Sequence, residues 1–146
     1  MTVQRTIATC FCLGKLPFAP GSWGSLGALF LWFFLPVNFL IHSIVILILF
    51  IIGVYTSKIV AEELKDHDPS EIVIDEAVGM GISLFMLPHS FTLYLFAFCL
   101  FRVFDIFKPS LIYHIQNLPA GWGIMLDDVL AGLFTLALVM GISTIL

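Results

Sequence analysis

The chain alternates between long uncharged stretches and short charged clusters. Residues 16–57, 77–101, 109–126 and 129–146 hold no Asp, Glu, Lys or Arg. The charges fall in four groups: Arg5 with Lys15, the run from Lys58 to Glu76, the trio Arg102, Asp105 and Lys108, and the pair Asp127 and Asp128. The first uncharged stretch is too long for one membrane crossing, which takes about 20 residues. Pro36-Val37-Asn38 divides it, because proline ends one helix and a turn can follow. This predicts helices near 22–36 and 39–57. Leu87-Pro88-His89-Ser90 divides the second stretch, predicting helices near 76–87 and 91–107, and a last helix is predicted near 127–146. Helices 22–36 and 76–87 are short for a full crossing, and the apolar segment Thr6–Leu13 reads as interfacial.

Composition turns these helices into a membrane protein. The chain has 146 residues, of which 60% are hydrophobic and 11% charged; its mean hydropathy is +1.10. Soluble domains carry roughly 25% charged residues. The expected fold is therefore all-α: one polytopic helical bundle over 1–146, with about five apolar helices, two of them short, and a short N-terminal interfacial segment. No secretory leader is expected, since no long apolar run precedes Lys15. The net charge of −4 argues against a nucleic-acid partner, which selects a basic face. Cys10, Cys12 and Cys99 lack zinc-site spacing and read as small apolar side chains.

Counting crossings gathers the charges. Five crossings put the N-terminus, the 58–75 segment and the 108–126 segment on one side, with every Lys, Arg, Asp and Glu. The positive-inside rule makes that side cytoplasmic. The expected active site lies at this interface.

Three motifs carry candidate chemistry there. Asp75 and Glu76 open an apolar helix in IVIDEAVG, where the helix dipole favours acids. Neighbouring helical residues diverge by about 100°, so at most one of the two is expected to face a site squarely. In FRVFDIFKP, Arg102, Asp105 and Lys108 recur three apart and share a helix face. In GWGIMLDDVLAG, Asp127 and Asp128 are expected to open the last helix. Before the first helix, Gly14–Ser25 (GKLPFAPGSWGS) offers prolines that restrict the loop and Gly21 for a turn. It also offers Ser22 or Ser25 for a cap, and Lys15 to reach into a phosphate site. Gly24 and Ala28 permit a close helix contact.

Anions gathered at a membrane interface need cations to offset them. Carboxylate oxygens suit Mg2+, and Arg and Lys suit phosphate. Together they point to metal-assisted phosphoryl chemistry. No Cys-x5-Arg loop, Walker loop or paired His/Arg phosphohistidine constellation occurs. His67 and His114 read as solvated; His42 and His89 fall near the opposite face and receive no chemical role. By elimination, water activated by a metal and a carboxylate is the expected attacking group. A cation carrier or channel component using the same acids is the alternative, although the opposite face has no charge to continue a path.

At these residues the sequence resembles the phosphatidylglycerophosphatase A family. The matching pieces are the loop Gly14–Leu26 (LPFAPGSWGSL), Asp68–Gly79 (DPSEIVIDEAVG), Phe101–Pro109 (FRVFDIFKP) and Gly121–Gly132 (GWGIMLDDVLAG). The resemblance implies a Mg2+-dependent phosphatase of a bacterial cytoplasmic membrane. Its substrate would be the lipid phosphatidylglycerophosphate, and its products phosphatidylglycerol and phosphate. Carried onto this chain, it implies the acidic positions Asp75, Glu76, Asp105, Asp127 and Asp128 and the basic positions Arg102 and Lys108. From the clustering of these charges, Asp75, Glu76, Asp127 and Asp128 are the expected metal ligands and Asp105, Asp75 and Asp128 the expected catalytic acids, with phosphate expected at Arg102 and Lys108 and, from the loop before the first helix, at Lys15, Gly21 and Ser22. Which carboxylate is base and which is ligand stays open.

Overall fold

The computed structural model describes residues 2–119 and 121–144. Seven α-helices and a short 3-10 turn are found among these residues, and no strand. They are α1 (Val3–Ala8), α2 (Pro20–Phe34), α3 (Phe39–Leu64), α4 (Ile74–Ser83), α5 (Phe91–Phe107), α6 (Ser110–Ile115) and α7 (Gly121–Ser143). The all-helical expectation holds. By length and composition, α3 and α7 can cross a membrane. Of the most apolar stretch of α3 only 17% is buried. A core helix of a soluble protein would hide that surface; here Leu40, Leu47 and Ile51 face outward.

Helix starts follow local chemistry where polar caps exist. Asn38 accepts from the Ile41 N–H at 3.1 Å, and Ser90 accepts from the Leu93 N–H at 3.5 Å, fixing α3 and α5 at their expected starts. Other boundaries move. α3 continues beyond 57 to Leu64, because Lys58, Glu62 and Glu63 are good helix formers on an exposed face. It stops where Lys65 turns left-handed, at φ 52°. α2 begins at Pro20, so Ser22 lies within its first turn and caps nothing. Ser25 is buried and donates to Gly21 O at 2.9 Å. α7 begins at Gly121 rather than 127, which carries Asp127 and Asp128 inside the helix instead of at its cap. α4 spans 74–83 rather than 76–87. The expected interfacial helix is displaced to Val3–Ala8. Its Ala8 is fully buried in a cluster with Val60, Ile74, Val78 and Met125.

α4 is the hub. It packs against α2, α3, α5 and α7, and every residue from Ile74 to Gly81 is buried. At about 1.5 Å per residue, its 10 residues fall far short of a bilayer's thickness. Its closest neighbour is α7. A Cβ on Gly132 would sit 2.5 Å from Gly79 O, and one on Gly79 would sit 2.7 Å from Asp128 O. The absence of side chains at this crossing brings the first turns of α4 and the acidic turn of α7 together.

The uncharged end is tied by histidines. His42 Nδ1 accepts from the Met86 N–H at 3.2 Å, and His89 Nε2 pairs with Leu35 O at 2.8 Å. These bonds join the α2–α3 turn to the α4–α5 turn. Gly132→Val forces α4 from α7 and should cost about 1–3 kcal/mol. Thermal unfolding in detergent checks this, and an unchanged midpoint contradicts the crossing.

Candidate active site

Four helices and the segment before α4 meet around a chamber of about 230 Å³. Its walls come from Gly21 at the start of α2, from Asp68 to Ser70 before α4, and from Asp75 and Glu76 in α4. Arg102, Asp105 and Lys108 at the end of α5 and Asp127 and Asp128 in α7 complete them. Asp75, Glu76, Asp127 and Asp128 are all buried. Both members of each acidic pair reach the chamber, and for Asp75 and Glu76 this goes against the expectation that at most one would face a site squarely. The chamber is a cleft wrapped around α4, so residues diverging around the helix still meet it: Asp75 toward α7, Glu76 toward Arg102 on α5.

Two cations divide the carboxylates between them. Arg102 NH1 lies 2.6 Å from Asp105 Oδ2 and 3.8 Å from Glu76 Oε1. Lys108 leaves the helix in the left-handed region, at φ 40°. It therefore departs from the expected stripe with Asp105 and donates instead to Asp127 Oδ2 at 2.9 Å, with Asp68 Oδ2 3.9 Å away. Burial alone would lower the Lys108 ammonium, but Asp127, then Asp68 and Asp105, hold it above the ordinary lysine range. It stays cationic at any working pH. Glycine at 21 is required by this packing: a Cβ there would collide with Glu76 Oε1 and lie 3.0 Å from Arg102 NH1.

The remaining acids are underpaired. Asp75, Asp127 and Asp128 can each place an oxygen within 4.8 Å of the others. Asp75 Oδ1, Glu76 Oε2 and Asp128 Oδ2 are buried with no hydrogen-bond partner. Six carboxylates line the chamber against two cations, a formal excess of four negative charges. Buried charge of one sign is costly unless it coordinates a cation. The donor set is all oxygen, which suits a hard divalent ion. The trio therefore fits a metal, with Glu76 outside it and beside Arg102.

Lys15 and Ser22 do not line the chamber. Asp68, which the sequence reading left without a role, does; its signal was its place at the head of DPSEIVIDEAVG. Gln116 donates to Asp68 Oδ2 at 3.0 Å and had no sequence signal. Cys10 is no thiolate nucleophile, since burial, then Asp75, push its thiol up to about 12.

An apolar helical bundle with an acidic, cation-demanding chamber at one end defines a membrane-associated protein with a polar site built from helix termini. The chain belongs to the phosphatidylglycerophosphatase A family, whose model matches residues 6–143. A Phosphatidylglycerophosphatase A of Escherichia coli K12 is 37% identical over 88% of this chain and 77% of its own. One of Haemophilus influenzae is 39% identical over 94% of this chain and 86% of its own. A protein of Bacteroides thetaiotaomicron named as a candidate phosphatidylinositol-3-phosphatase is 38% identical over 91% of this chain and 89% of its own. No solved structure matches.

The charge excess predicts cation-linked stability. Millimolar Mg2+ should raise the thermal midpoint, adding about 2.7 kcal/mol of stability at a hundred times its dissociation constant. Asp128→Asn should raise the midpoint without cation, by removing a repelling buried charge, and should abolish the gain with Mg2+. Calorimetry in detergent reads both; a variant that keeps the full Mg2+ gain contradicts the site.

Proposed function

We propose that the protein is a Mg2+-dependent lipid phosphatase that hydrolyses phosphatidylglycerophosphate to phosphatidylglycerol and inorganic phosphate. The observation that carries this reading is the excess of carboxylates beside Arg102 and Lys108 in a chain of this family. A phosphate dianion cannot enter such a chamber unless a cation enters with it. Asp75, Asp127 and Asp128 would hold the metal, with Glu76 beside them. Bound Mg2+ supplies Lewis-acid polarisation and charge neutralisation.

The chain's own groups do the rest. Arg102 and Lys108 bind the phosphoryl oxygens, Arg102 as a fork and Lys108 as a point charge. Asp105 fixes the guanidinium through its 2.6 Å contact. Gly21 brings the amide end of α2 to the chamber wall, where the helix dipole favours an anion. Asp105 and Asp127 are engaged by Arg102 and Lys108; Asp75 and Asp128 each keep an oxygen without a partner for the water proton. Water forms the new P–O bond, the bond to the glycerol oxygen breaks, and that oxygen leaves with a proton.

The count of crossings puts all six Lys and Arg residues on the side of the chamber, which the positive-inside rule would assign to the cytoplasm. The reading is of a multi-pass protein of the bacterial cytoplasmic membrane, with acyl chains in lipid and the head group at the chamber. A cation carrier is disfavoured because residues 77–101 and 129–144 contribute no charge beyond the chamber.

Phosphate release from phosphatidylglycerophosphate should require Mg2+ and stop with chelator. Asp105→Asn and Asp128→Asn should lower turnover by about a hundredfold or more, whereas exposed Glu62→Gln should change little. Gly21→Val should lower turnover while membrane insertion persists. Near-wild-type turnover in both Asp variants sinks the assignment. Faster hydrolysis of phosphatidylinositol 3-phosphate moves the substrate to the activity in the Bacteroides relative's name.

A further inference from the structure

The chain entering α4 is gripped by groups that line no part of the chamber. Arg5 forks Glu71: its Nε donates to Oε1 at 2.7 Å and NH2 to Oε2 at 3.0 Å. NH1 lies 3.9 Å from Glu63 Oε1, in the last turn of α3. Both Arg5 and Glu71 are partly buried, and a bidentate, half-desolvated pair outweighs an ordinary surface ion pair. Two residues on, the Val73 N–H donates to Ala8 O at 2.9 Å. A Cβ on Gly14 would collide with Glu71 O, and one on Gly24 would lie 2.7 Å from Val73 Cβ. Residues 71–73 are thus held by the N-terminal segment and by α2 together.

α4 lacks a local substitute for this grip. Its N-cap residue, Val73, makes no side-chain cap bond. The turn that follows carries Asp75 and Glu76, both buried among further carboxylates. Repulsion in low dielectric drives that turn away from α7 until a cation arrives. The glycine crossing holds the body of α4 against α7, and the contacts on residues 71–73 set the position of its first turn meanwhile.

We infer that Arg5, through its fork with Glu71, is a positioning residue that holds the first turn of α4, and with it Asp75 and Glu76, at the chamber against carboxylate repulsion. The inference rests on the metal-assisted phosphatase reading. Arg5 precedes the family match, which begins at residue 6.

The test uses full-length Arg5→Ala, Arg5→Lys, Glu71→Gln and the Arg5→Ala/Glu71→Gln double variant in detergent. Two half-points are read: the Mg2+ dissociation constant fitted to the logarithmic rise of Tm with Mg2+, and the Mg2+ concentration at half-maximal phosphate release. Arg5→Ala and Glu71→Gln should each raise both by about tenfold, the scale of a lost group behind a ligand. The double variant should be no worse than either single, because the pair acts as one unit. Arg5→Lys, which keeps the charge and loses the fork, should fall between. kcat at saturating Mg2+ should stay close to wild type. A merely structural role lowers Tm equally at every Mg2+ concentration and leaves both half-points unmoved; that result overturns the inference, as do additive losses in the double variant. If the wild type binds Mg2+ but releases no phosphate, the phosphatase reading fails while the Tm half-points still decide the fork.

Discussion

The constraint behind this structure is repulsion between buried carboxylates. Asp75, Glu76, Asp127 and Asp128 are all buried, and the two cations of the chamber cannot neutralise them. A chain left to itself would separate such groups. What holds them is the crossing of α4 and α7, where Gly79 and Gly132 remove the side chains that would keep the backbones apart. The hydrophobic burial of α4 on every side resists the electrostatics at its first turn. Packing energy is thereby stored as an affinity for positive charge.

The same reasoning explains the asymmetry of the bundle. Apolar side chains cover its flanks, and Leu40, Leu47 and Ile51 remain exposed on α3. The charges of the chamber lie where α4 begins and α5 ends, or within two turns of the start of α7. Helix ends are the places where a membrane protein can change direction and expose polar groups. The chamber therefore requires no break in any helix. The opposite turns need only neutral ties, and His42 and His89 provide them through backbone groups.

Much of this was legible in the sequence, and for a stated reason. In a chain with so few charges, the spacing of charged clusters marks where helices must turn, so the breaks between α2 and α3 and between α4 and α5 could be read from Pro36 and Pro88. The residues of the chamber were legible because an acid in an apolar helix has few other uses. What was not legible depended on backbone conformation and long-range approach. Lys108 lies on the stripe of Asp105 only if the helix continues; its left-handed φ of 40° sends it to Asp127. Asp127 and Asp128 look like a cap only if Gly121 is assumed to lie outside the helix, yet α7 starts there. Gln116 and Arg5 carry no local signal, because their partners are 48 and 66 residues away in the chain.

The chamber draws on nearly the whole length of the polypeptide, from Gly21 in α2 to Asp128 in α7. That spread has a consequence for biogenesis. As the chain leaves the ribosome, α2, α4 and α5 can insert and associate while two of the central carboxylates are still unsynthesised. A partly made chain thus holds the basic groups and four of the six chamber carboxylates, and lacks the pair that completes the proposed cation-binding trio. On the proposed reading hydrolysis would wait for α7, so competence would arise in a single step when that helix joins the others, and a chain lacking α7 would remain inert toward the lipids around it.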